Sequence, residues 1–267
     1  MAHLTKGEME RRLFPLPPLP EQQRIAAILG TWDRAIGQLE ALTAAKETQL
    51  RGLMQRLLTG AVRLARFEGA WEEVKMGDIG QFYNGLSGKS KEDFGSGEPY
   101  LSYRQIFSNY SIRELDFSCV QVGSNEKQNL VQYGDVLMTT SSETREEAGM
   151  SSVYLGARKV LYLNSFCFGF RPNNSVLQAE FSQFYFRSSD FRRRISRLAQ
   201  GSTRYNLSKK SVREIVLTVP PLEEQKEIAT FLQSAKYELQ LLNQKLAGLR
   251  EQQRGLMARL LTGAVRV

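Results

Sequence analysis

The sequence predicts an α+β fold in which one mixed module sits between two long helices that form an antiparallel coiled coil. Three observations carry this. Pro17 to Leu64 lies without a gap on Pro220 to Val267, an offset of 203 residues (220 − 17), so one unit is written twice. Both copies place apolar residues in alternating steps of three and four, the heptad spacing of a helix seam. Between the copies, β-branched and aromatic runs are broken by Gly, Asn and Ser, the pattern of strands and turns.

The ends of each copy are helix ends. Pro17-Pro18-Leu19-Pro20-Glu21-Gln22 matches Pro220-Pro221-Leu222-Glu223-Glu224-Gln225. Proline suits a first turn, where its missing N–H is not needed, and Glu21, Glu223 and Glu224 favour the positive end of the macrodipole. Arg51 to Arg63 and Arg254 to Arg266 differ only at Gln55 against Ala258, and Gly60 and Gly263 fall where a helix would stop. The second seam is Leu232, Ala235, Leu239, Leu242, Leu246, Leu249, Gln253, Leu256 and Leu260. The matching first seam is Leu29, Trp32, Ile36, Leu39, Thr43, Lys46, Leu50, Leu53 and Leu57. Roughly 40 residues at 1.5 Å each make a rod of about 60 Å. The plainer reading is two core helices of a globular bundle; the register-matched seams and paired stops favour rods.

Taken in order, residues 1–16 are expected to be an end strand of an absent or truncated preceding module, since Leu13 to Leu19 matches Val216 to Leu222 at the same offset. Residues 17–66 form the first helical region, 67–219 the middle module and 220–267 the second helical region. Within the module, Tyr83 to Pro99 is expected to be a long exposed loop, and Tyr100 to Ile106 a strand. Tyr133-Gly134-Asp135 is a turn into the strand Val136 to Thr139, and Val153 to Phe170 is a hairpin. Gln178 to Ala199 is helical and stops at Gly201, which opens the polar loop to Leu207.

Composition narrows the function classes. The net charge of +8 favours an anionic partner. The module's 19 basic and 17 acidic residues nearly balance, so a nucleic-acid surface there must be a local patch. The absence of a long apolar run or a signal pattern leads us to expect a soluble, cytoplasmic protein. Cys119 and Cys167 lie in apolar surroundings and read as buried thiols. The single histidine, His3, argues against histidine-based catalytic or metal sites. No Walker A run, dinucleotide-binding glycine motif or adenine-methyltransferase signature is present.

Pro-Pro-Leu-x-Glu-Gln before a long helix, flanking a module with a Gly134-Asp135-Val136-Leu137 strand and a Gly201-Ser202-Thr203-x-x-Asn206-Leu207 loop, resembles the specificity subunit of type I restriction–modification systems. The resemblance covers essentially the whole chain, in a form with one recognition domain where the family has two. It implies a non-catalytic subunit that reads one half of a bipartite site in double-stranded DNA. It further implies docking of a methylation subunit and a restriction subunit, and homodimer formation or pairing with another half-subunit. No cofactor is expected on this chain; S-adenosylmethionine, ATP and Mg belong to the partner subunits. Arg104, Gln105, Arg145, Arg204 and Asn206 are types that pair with guanine or adenine edges. Lys89, Lys91, Arg192, Arg193 and Arg194 suit phosphates. Thr140, Ser142, Ser202 and Thr203 can serve either role, and Tyr103 and Tyr205 can stack or wedge. The alternative is a coiled-coil scaffold whose middle domain binds protein.

Overall fold

The computed structural model describes Gly7 and residues 16–267. The expected end strand within residues 1–16 therefore lies outside the described residues, apart from Leu16. The chain divides into two compact units. One consists of the helical arms, up to Gln49 and from Ala235 to Val267; the other is residues 50–234.

The arms belong to α1 (Leu19–Leu57) and α6 (Leu222–Leu261). Inside the arm unit the two helices run antiparallel. Lys46 pairs with Glu238 at 2.8 Å, Arg250 with Glu40 at 2.5 Å, and Gln253 donates to Asp33 at 2.6 Å. Ile36, Thr43, Leu246 and Leu260 are buried along the seam, and Leu29, Leu39, Leu239, Leu242, Leu249 and Leu256 are half-buried. These exposed ion pairs contribute little each; the apolar stripe supplies the adhesion. At the arm end, Arg266 makes a two-pronged bond to the buried Glu21, both contacts at 2.6 Å.

The α+β unit begins with Leu50. Its strand β1 (Glu72–Lys75) pairs antiparallel with β12 (Val216–Val219), so the module's first and last strands close on each other. The main sheet joins β2 (Gly80–Asn84), β10 (Cys167–Pro172), β6 (Val136–Thr139), β8 (Ser151–Tyr154) and β4 (Ser111–Ile112), in that order. Its pairings are antiparallel except β4 with β8. A second sheet orders β5 (Ser118–Val120), β3 (Phe94–Leu101) and β9 (Tyr162–Leu163). The core gathers Phe168, Phe170, Phe181, Phe184, Phe186 and Phe191. It also takes in Met54, Leu57, Leu58, Ile228, Ala229 and Leu232 from the helices, with Leu50 and Leu53 packed against it. Leu50, Leu53, Leu57 and Leu232, expected in the coiled-coil seam, thus belong to the module's core. The heptad stripe continues, but its neighbours there are strands and short helices.

Several local expectations change for identifiable reasons. Tyr103 to Ser108 is a helix, α2, not a strand: Ser102 accepts from the Gln105 backbone N–H and the Gln105 side chain reaches back to Ser102, a capping box. Tyr83 to Pro99 is not one loop, since β2, a turn of 3-10 helix (Lys91–Asp93) and β3 pass through it. Gly95 and Gly97, both at positive φ, accommodate the bulge in β3. Val153 to Phe170 is not a hairpin, because β8, β9 and β10 enter different pairings. The run Gln178 to Ala199 is two helices, α3 (Ala179–Tyr185) and α4 (Ser189–Arg197), restarted by the Ser188 cap. The turn at Gly134 and the strand after it are as expected, with Gly134 at φ 88°. Cys119 and Cys167 are both free thiols; Cys167 is buried and Cys119 half-buried.

Candidate nucleic-acid interface

Three segments far apart in sequence meet on one face of the module. β6 runs straight into β7 (Ser141–Ser142), which pairs with β11 (Tyr205–Asn206). Against them lies α2, whose Tyr103 hydroxyl donates to the Ser141 carbonyl at 2.8 Å. A cavity of about 260 Å³ opens here, lined by Tyr103, Arg104, Phe107, Ser141, Ser142, Glu143, Glu147 and Arg204. Tyr103 and Phe107 stack with ring centroids 6.1 Å apart. The Arg145 guanidinium lies over the Tyr205 ring at 5.6 Å. Gly201 permits the tight return of the 201–206 segment: it stands at φ 131°, and a side chain there would collide with the Arg204 backbone.

Two half-buried arginines brace this face. Arg187 donates to the carbonyls of Ile106, Phe107 and Asn109, at 2.8 to 3.0 Å, and to that of Ser151. It thereby satisfies the open carbonyl end of α2. Arg192 donates to the carbonyls of Glu146, Ala148 and Gly149 at 2.6 to 2.7 Å, fixing the loop that carries Glu143 and Arg145. Burial lowers both guanidinium pKa values to about 10, which leaves them charged near neutrality. Under β6, Asp135 accepts a two-pronged bond from Arg171 and one from the Tyr83 hydroxyl. This buried group anchors the strand leading to the cavity.

The expected contact residues sort clearly. Arg104, Arg145, Ser202, Thr203 and Arg204 are exposed around the cavity segments, with Tyr103 and Tyr205 half-buried beside them. Thr140 is half-buried between β6 and β7, and Ser142 is buried with its hydroxyl on the Thr144 carbonyl at 2.5 Å. Asn206 is exposed, pairs with Ser141 in the ladder, and bonds the Arg204 carbonyl. Gln105 is engaged within the fold: its amide closes the α2 cap and donates to the Asp116 carbonyl. Arg192 is engaged as well, its donors serving backbone carbonyls. The Lys89 side chain is only 4 % exposed and is held by Glu126. That bond leads the contacts that pull the Glu126 carboxyl down to about 2. Lys91 and Arg193 are exposed but line none of the cavity, and Arg193 and Arg194 both face Asp190. Residue-type reasoning missed Glu143 and Glu147, because it sought donors only. Among the described residues no cluster of His, Cys, Asp and Glu is placed to hold a metal ion, and no helix is long and apolar enough to cross a membrane.

The type I restriction modification DNA specificity domain matches residues 68–251. The chain belongs to this family. It is 25 % identical to the type I restriction enzyme MjaVIII specificity subunit of Methanocaldococcus jannaschii, with 99 % of this chain and 65 % of that protein covered. The fold is similar to the HsdS subunit from Thermoanaerobacter tengcongensis, with a TM-score of 0.57, 19 % identity, and coverage of 99 % and 64 %. A chain from a structure of the assembly and conformational transition of the type I R-M system aligns at a TM-score of 0.64, 19 % identity, and coverage of 98 % and 64 %. The chain spans 62 % to 65 % of the length of the curated relatives it matches. Within a specificity-domain chain, the cavity and its three segments lie wholly in the matched region, as does most of α6.

Proposed function

We propose that this chain is a non-catalytic, cytoplasmic DNA-recognition subunit of a type I restriction–modification complex, and that the face around the α2 cavity reads one half of a bipartite target. The observation that carries this reading is the convergence of 103–107, 139–147 and 202–206 around one cavity bordered by exposed arginines. Exposed Arg104, Arg145 and Arg204 are of a type that donates to base edges, and exposed Lys91 and Arg193 are of a type that suits phosphates. The chain needs no cofactor of its own; adenine methylation and ATP-dependent cleavage belong to partner subunits docked on the arms.

The two ends of the repeat support a second recognition module. In the α+β unit, Gln225 donates to the Pro220 carbonyl and also to that of Val176, while accepting from the Gln178 N–H. In the arm unit, the side chain of its counterpart Gln22 makes the equivalent bond, to Pro17, and no other among the described residues. The arm end is therefore a docking face for a module of the same build. Since the arm seam is filled within the chain, pairing with another half-subunit would use this end face.

The test is selection from a randomised duplex library, with and without the cognate methylation subunit, at two salt concentrations. Enrichment of a short half-site, repeated across a fixed gap when a second module is supplied, is the expected result. Binding should weaken steeply with salt as phosphate contacts release counterions. No enrichment under any condition would favour the protein-binding scaffold.

A further inference from the structure

The cavity holds unlike charges that do not neutralise each other. Glu143 is exposed and forms neither a hydrogen bond nor an ion pair among the described residues, although Arg104 and Arg204 line the same cavity. Neither guanidinium forms an ion pair there either. Glu147, the other carboxylate, accepts from the Thr144 hydroxyl at 3.0 Å. On a face meant for a polyanion, a free carboxylate is repelled by phosphates and has a use only where a donor comes to it. In the DNA grooves such a donor is a base amino group.

Resting on the DNA-recognition reading above, we infer that this cavity reads one G·C pair through both of its bases. An arginine from the Arg104–Arg204 pair donates to guanine O6 and N7, and Glu143 accepts from cytosine N4. Guanine presents two acceptors in the major groove and cytosine one amino donor, so a cation beside a carboxylate matches the pair. An A·T pair presents one amino group and no doubled acceptor edge, and satisfies only the carboxylate. The Tyr103–Phe107 stack lines the cavity apolarly, and Arg192 holds the loop backbone that bears Glu143. Glu143 is thus a specificity-determining residue and Arg192 a positioning one.

The experiment compares full-length wild type, Glu143→Ala, the Arg104→Ala/Arg204→Ala double variant and Arg192→Lys in the library selection, with circular dichroism and thermal melting as fold checks. Wild type should enrich a half-site containing at least one G·C pair. Glu143→Ala should lower the preference for that pair roughly tenfold while the melting curve and the rest of the motif stay in place. The double variant should lose preference at the same pair, and Arg192→Lys should blur that position without unfolding the chain. A half-site without G·C, or a Glu143→Ala motif identical to wild type, overturns the inference but leaves DNA recognition standing. Preference falling at an A·T pair instead assigns Glu143 to adenine N6 and overturns the G·C reading. If wild type enriches nothing, the DNA-recognition reading itself fails, and this inference with it.

Discussion

Leu58 and Leu261 occupy the same position of the repeat, yet Leu58 is 3 % exposed and Leu261 59 %. Met54 and Met257 differ likewise, at 7 % against 42 %, and Ala229 is buried where Ala26 is exposed. The inner positions do not differ: Ile228 and Ile25 are both buried, as are Leu57 and Leu260. The inner layer is thus buried at both ends, and among the described residues the outer layer is covered in the α+β unit alone. The polar contacts repeat the contrast. Arg63 clamps Glu224 as Arg266 clamps Glu21, so the last arginine of each copy holds the first-turn glutamate of the other. In the α+β unit Trp71 donates a further bond to Glu224 and covers Gly60; among the described residues nothing lies within 4 Å of where a side chain at the equivalent Gly263 would begin. Identical sequence sets the helix, the latch and the inner layer, while the neighbour decides whether the outer residues are core or surface.

The largest effect comes from breaking what both ends depend on, the arm seam. Leu246 is buried in it, and Leu246→Asp should destabilise the arm unit by roughly 3–5 kcal/mol, because the carboxylate finds no partner there. An unchanged melting profile would argue that the arms do not pair in solution.

Next come the outer-layer pairs. Leu58→Ala leaves a cavity in a packed core and should cost about 3 kcal/mol, whereas Leu261→Ala should stay within about 0.5 kcal/mol. Chemical denaturation of the two variants checks this directly. Equal losses would mean that Leu261 is already covered in solution. If a second module docks at the arm end, adding it should make Leu261→Ala costly as well.

The contrast also shows what could be read from the sequence. The repeat, its caps and the heptad spacing made the two helices legible, because these are local signals of fixed period. Where the seam ends was not legible: Leu50, Leu53, Leu57 and Leu232 keep the heptad spacing while their neighbours change from helix to module core. Strand pairings across long separations, such as β2 with β10, also escaped, since alternation marks a strand but not its partner. Loop residues near the cavity were found by type, and 103–107, 139–147 and 202–206 do converge. The engagement of Gln105, Lys89 and Arg192 within the fold was not legible, because capping, ion pairing and carbonyl binding depend on neighbours the spacing does not reveal. Glu143 was overlooked because a search for donors passes over acceptors.

A smaller effect separates the two latches. Glu224 is fully buried with Arg63 and Trp71 on it, so Glu224→Gln should cost about 2 kcal/mol. Glu21→Gln weakens contacts to Arg266, which is largely solvated, and should shift the melting midpoint less. A larger shift for Glu21→Gln would show that the arm-end latch matters more than its surroundings suggest.

The smallest effect is the acid response of that arm-end latch, and it tests whether the reciprocity holds in solution. The hydrogen bond from Arg266 lowers the Glu21 carboxyl below the usual glutamate range. Since the folded value is below the unfolded one, the latch contributes fully above the ordinary glutamate pKa and fades as pH falls through the lowered value. Glu21 followed by NMR should therefore titrate below the ordinary glutamate range, and Arg266→Ala should return it towards that range. The change in overall stability should be slight, because Arg266 is largely solvated and water screens such pairs. A Glu21 that titrates normally in the wild-type chain would mean that Arg266 does not close on it. The arm end would then lack the counterpart of the Arg63–Glu224 clamp, and with it the likeness to the covered end that supports docking of a second module.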